Sequence, residues 1–126
     1  MLKKAAMAVG AVFVVIGIAG FIPGLTNESQ LLGIFRVDGT HNMVHILSGL
    51  VFLAASQNGK WARMAFQVFG VVYALVTIIG FMVGVDNTVL GLFHVDLADN
   101  ILHLFLAATF LYLGFAYPER RGEVAA

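Results

Sequence analysis

The chain has 126 residues, 60% of them hydrophobic and 11% charged, with no cysteine and a formal net charge of zero. A soluble domain is about 45–50% apolar and about 25% charged, so lipid rather than water is the expected solvent. The lack of cysteine excludes disulfides, thiolate metal sites and thiol nucleophiles, and zero net charge gives no bulk attraction to nucleic acid.

Membrane helices need roughly 17–25 apolar residues, and four such runs are expected. The first covers about 5–22, behind Lys3 and Lys4. A basic start before an apolar run also describes a signal peptide. This run is long for one, and it recurs: GAVFVVIGIAGFIPG from Gly10 aligns with GVVYALVTIIGFMVG from Gly70. A retained helix is therefore expected. Gly10 and Gly17 share one face and predict a packing seam. Gly20 and Gly24 are spaced for close helix approach, and Pro23 with Gly24 is expected to end the helix.

An outer loop over 23–38 leads into the second run, about 39–56. Trp61, beside Lys60 and Arg63, reads as an interfacial anchor before the third run, about 62–82. A second outer loop, 83–96, precedes the fourth run, about 97–117, with Tyr112 and Tyr117 as further anchors. PERRGEVAA, 118–126, reads as a polar tail.

The chain is written nearly twice. Gly10, Gly20, Phe21 and Gly24 match Gly70, Gly80, Phe81 and Gly84. After a two-residue slip, Leu32, Gly33, Phe35, Val37, Asp38, Asn42, His45, Phe52 and Leu53 match Leu90, Gly91, Phe93, Val95, Asp96, Asn100, His103, Phe110 and Leu111. The expectation is an all-α, integral membrane four-helix bundle forming one domain over 1–126. Its two tandem helical hairpins would cover about 5–56 and 62–117, as a parallel repeat. Lys3, Lys4, Lys60, Arg63, Arg120 and Arg121 place both termini and the middle loop in the cytoplasm, with only Arg36 on the other side. Glu28, Asp38, Asp86, Asp96 and all four histidines then lie on or near the outer face.

The repeated phrase carries the chemistry. Asp38 and Asp96 stand where a loop enters a helix, and aspartate is a favoured N-cap. Asn42 and His45 follow four and seven residues on, as do Asn100 and His103, and such positions share one helical face. Seven residues at 1.5 Å rise put each histidine about 10 Å below its cap. Ionisable groups at such depth face the bundle interior and mark function by default. His41 precedes His45 by one turn, and Asp99 precedes His103 likewise, so each pair has ligand spacing. If the second and fourth helices pack together, His41, His45, Asp99 and His103 would approach one centre suited to zinc, copper or iron. Asn42 and Asn100 would orient those ligands. The competing reading is a polar network of Asp38, Asn42, Asp96 and Asn100 with the histidines, bonded across helices as glue. A haem held by His45 and His103 is a narrower option. Asp99 with His103 could also serve as an acid/base pair at the outer face. His94, matched by Arg36, reads as an interface residue.

GFIPG, LLGIFRVDGTHNMVHILSGL and GLFHVDLADNILHLFLA together resemble the bacterial membrane-protein family known as domain of unknown function 4383. The resemblance covers roughly 5–117 and implies a four-helix protein of the bacterial inner membrane. It also implies that Asn42, His45, Asn100 and His103 are the polar signature, and it brings no activity. The leading functional expectation is a non-catalytic scaffold or accessory subunit in the lipid bilayer, with a membrane-protein partner or a second copy against its apolar faces. The alternatives are a metal- or haem-binding membrane protein and a small outer-face enzyme.

Overall fold

A computed structural model describes residues 1–27, 30–31, 35–36, 38–83, 88–89, 93–94 and 96–118. Glu28, Leu32, Gly33, Val37, Gly84, Asp86, Leu90, Gly91, Val95, Arg120, Arg121 and the tail beyond Pro118 lie outside the described residues. The protein is an all-α bundle of four helices: α1 (Leu2–Ala19), α2 (Gly39–Ala55), α3 (Gly59–Val83) and α4 (Leu97–Leu111). A five-residue π-turn, Tyr112–Ala116, extends α4. Two-residue strands decorate the interhelical segments. The antiparallel set β1 (Thr26–Asn27), β2 (Gln30–Leu31) and β3 (Phe35–Arg36) precedes α2, and the pair β4 (Thr88–Val89) and β5 (Phe93–His94) precedes α4. His94 pairs through its backbone with Thr88. β3 touches α4 and β5 touches α2, so each loop segment reaches across to the other helix pair.

The most extensive packing is of α1 on α2 and of α3 on α4. Apolar helices that can cross a membrane associate there through close backbone approach. The α1–α2 seam has that form. A Cβ on Gly10 would stand 2.8 Å from the Gly49 carbonyl oxygen, and one on Gly49 would stand 2.7 Å from that of Gly10. Gly17, the other expected seam glycine, lies as closely against the backbone of Asn42. Below the loop end the four helices meet in aromatic rings. Phe13, Phe52, Phe66, Tyr73 and Phe110 are all buried. Phe52 and Phe110 lie 5.3 Å apart, Phe66 and Phe110 5.5 Å, and Phe13 and Phe110 6.1 Å, all in tilted arrangements. Such geometry sets the positive edge of one ring towards the negative face of another.

Outside, the surface is apolar. Val15 is 64% exposed, Phe105 67% and Met82 79%. Among the described residues, three stretches are long and apolar enough to cross a membrane: Leu2–Ala19, Gly59–Val83 and Leu97–Ala116. The fourth expected span, α2, is apolar but has 17 residues, about 25 Å at 1.5 Å per residue. An apolar belt round a buried polar interior is compatible with a membrane protein.

Helix ends differ from expectation for local reasons. α1 ends at Ala19, three residues before the sequence pattern suggests. The Phe21 and Ile22 amides bond back to the carbonyls of Ile18 and Ala19, tightening the chain ahead of Pro23. Gly24 therefore does not end the helix; it serves the turn beyond it, at φ +95°. α3 begins at Gly59, earlier than expected, because the Asn58 side chain accepts from the amides of Lys60 at 2.8 Å and Trp61 at 3.3 Å. At the far end of α4, the π-turn leaves carbonyls for long side chains. Arg63 donates to Gly114 and Tyr117, and Gln67 donates to Gly114. Arg63 is thus a structural cap as well as a member of the basic cluster.

Candidate functional site

The loop end of the bundle is built by two aspartate caps. Asp38 is extended and accepts the His41 amide at 2.8 Å, which starts α2. Asp96 accepts the Asp99 amide at 2.8 Å, and the Asp99 carboxylate accepts the Asp96 amide at 3.0 Å in return. That reciprocal bond satisfies two otherwise orphaned donors.

One turn further in, the shared faces turn towards the interior. His41, Asn42 and His45 of α2 are buried, as are Asp99, Asn100 and His103 of α4. Each asparagine lies on a glycine of the preceding helix. Asn100 Nδ2 donates to the Gly80 carbonyl at 3.3 Å. A Cβ on Gly80 would collide with Asn100 Oδ1, and one on Gly20 would collide with Asn42 Oδ1. Glycine at 20 and 80 is therefore what admits the amide.

The histidines converge. The rings of His41 and His45 are 4.4 Å apart, and those of His41 and His103 are 5.7 Å apart. One nitrogen from each of His41, His45 and His103 lies within 4.8 Å of the others. The Nδ1 atoms of His45 and His103 are buried without a hydrogen-bond partner in the protein. Asp99 belongs to the same face, but among the described residues the converging set is the three histidines. Its carboxylate is engaged in the cap.

Aromatic rings floor the cluster. Phe13 lies 5.5 Å from His45, and Tyr73 lies 5.5 Å from His103. Sequence reasoning does not single out Tyr73 or Phe13, although they occupy the same place in the aligned GAVF and GVVY segments. Nor does it mark Ser48, buried one turn below His45.

A family model matches residues 3–116. The chain belongs to the family described as domain of unknown function (DUF4383). No curated protein and no solved structure matches it. Membership agrees with the resemblance carried by the repeated phrase, and it assigns no chemistry to the cluster.

Proposed function

We propose that this family member is a non-catalytic membrane scaffold or accessory subunit, formed as one domain from two helical hairpins. The observation that carries the reading is the use of the asparagines as clasps. Asn42 and Asn100, four residues after their caps, each lie on a glycine of the neighbouring helix, at Gly20 and Gly80. Polar residues placed for interhelical contact hold membrane bundles together. A catalytic reading would rest on Asp99 with His103, and one oxygen of Asp99, Oδ2, already takes the Asp96 amide. The apolar belt suits lipid, a second copy or a membrane-protein partner. By the positive-inside rule the termini are cytoplasmic and the histidine end faces out.

The clasp is tested by thermal unfolding in detergent. The Asn42→Ala/Asn100→Ala protein should melt a few degrees below the wild type, with unchanged helix content before the transition. An unchanged melting temperature would sink the clasp and the scaffold reading with it. Orientation is tested separately by impermeant labelling of single cysteines introduced near residue 3 and at residue 97. Labelling of intact cells at 97 alone is expected.

A further inference from the structure

The clasps place the asparagines, although Asn42 Oδ1 and Asn100 Oδ1 are themselves buried without a partner, and they leave the histidines unexplained. Glue demands partners, and a buried polar atom without one carries its full desolvation cost. Asn100 has its carbonyl at Gly80. His45 Nδ1 and His103 Nδ1 have no protein partner, although His45 is 7% exposed and His103 2%.

We propose that His41, His45 and His103 bind one late first-row transition-metal ion, zinc or copper, between α2 and α4 at the loop end of the bundle. Three observations converge. The nitrogens come from two different helices and already lie within 4.8 Å of one another. At a metal–nitrogen distance of about 2.0–2.1 Å in tetrahedral geometry, they need to stand roughly 3.3–3.4 Å apart. Small turns about the side-chain torsions cover that difference. The second observation is the pair of orphaned nitrogens, His45 Nδ1 and His103 Nδ1, on two of the three converging rings. The third is the donor set. Neutral imidazoles suit zinc and copper, whereas magnesium, calcium and manganese prefer oxygen ligands. Non-haem iron favours two histidines and a carboxylate, whereas the converging set here is three histidines.

Three protein ligands leave a coordination position open, unlike the closed four-ligand sets of structural zinc. Phe13 and Tyr73 close the inner side of the cluster. An exchangeable ligand would therefore approach from the loop end. Because His41 and His45 sit on α2 and His103 on α4, the ion would also tie together the two helix pairs.

The test uses the full chain in detergent, stripped with chelator and then titrated with Zn²⁺, with Cu⁺ under reducing conditions, and with Co²⁺ as a visible probe. One ion per chain is expected, with a rise in melting temperature on loading. The imidazole ¹⁵N signals of His41, His45 and His103 should shift together, while His94 stays put. His45→Gln and His103→Gln should each weaken binding by more than the roughly 10–100-fold typical of a residue that only supports a ligand. The nitrogen spectrum needs no variant, so a misfolded mutant does not obscure the result. Tighter binding of Zn²⁺ or of Cu⁺ decides between the two ions. Three outcomes overturn the site: no uptake by folded wild type, uptake that persists in both variants, or shifts confined to His94. No uptake would assign the orphaned nitrogens to buried water. None of these outcomes touches the scaffold reading, which depends on the asparagines.

Discussion

The α1–α2 and α3–α4 pairs use nearly the same words and differ at a few positions that matter. Position 41 and position 99 are each the third residue after an aspartate cap. In α4 that residue is Asp99, and its carboxylate folds back onto the Asp96 amide. In α2 it is His41, whose amide serves the cap while its ring lies tilted against that of His45. One location therefore supports a helix end in one pair and builds an inward cluster in the other. The seam differs too. Gly10 faces Gly49 in the first pair, backbone to backbone. Where the repeat aligns Gly49 with position 107, α4 has alanine, and Gly70 instead meets Leu111. The lesson is that a repeated phrase preserves spacing and leaves the use of each position to its neighbours.

The largest expected contrast is at the seam. Gly49→Val should cost about 1–3 kcal/mol by overpacking, because its new Cβ meets the Gly10 carbonyl oxygen at 2.7 Å. Gly70→Val should cost less, since its Cβ would meet the movable Leu111 Cδ2 at 2.9 Å and backbone, the Leu111 nitrogen, only at 3.0 Å. Unfolding in a mixed detergent series ranks them, and equal losses would erase the difference between the seams. Next come the caps. Asp96→Ala should cost about 1–2 kcal/mol and Asp38→Ala about 1 kcal/mol, since only Asp96 is in a reciprocal bond. Hydrogen exchange of the first-turn amides should show the larger loss of protection in α4.

A smaller effect is expected at the clasp. Asn100→Ala should cost about 0.6 kcal/mol, the average for an interhelical hydrogen bond in a membrane bundle. His41→Asp should change stability least and is the sharpest comparison. It copies the α4 phrase into α2, so the new carboxylate should complete a capping box with Asp38, worth a few tenths of a kcal/mol. The same change removes one of the three converging imidazoles, and Co²⁺ absorption should disappear while the melting temperature of the metal-free protein holds. A retained Co²⁺ spectrum would mean that His41 is not a ligand.

Much of the site is legible in the order of residues alone. Asp38 and Asp96 read as caps because an aspartate at a loop-to-helix junction has a local task that needs no third element. Asn42, His45, Asn100 and His103 read as inward because four- and seven-residue spacings share a face and lipid will not accept them. The early start of α3 is harder to see, since it depends on the Asn58 side chain bonding two amides. The end of α1 is hidden as well, because the pattern stays apolar through Ile22 while the backbone has already tightened at Gly20.

Composition and spacing along the chain are enough for the four apolar helices and for the ladder of cap, amide and imidazole on two of them. Those are properties of composition and of spacing along one helix, fixed by 3.6-residue periodicity. Which groups meet is a matter of packing between helices. The fold laid Asn42 and Asn100 on glycines, turned Asp99 back to its own helix end, and brought His103 of α4 to His41 of α2 across the bundle. Spacing within a helix is set by its own geometry, but a meeting between helices depends on how closely two backbones approach, and the glycines that permit it lie on other helices.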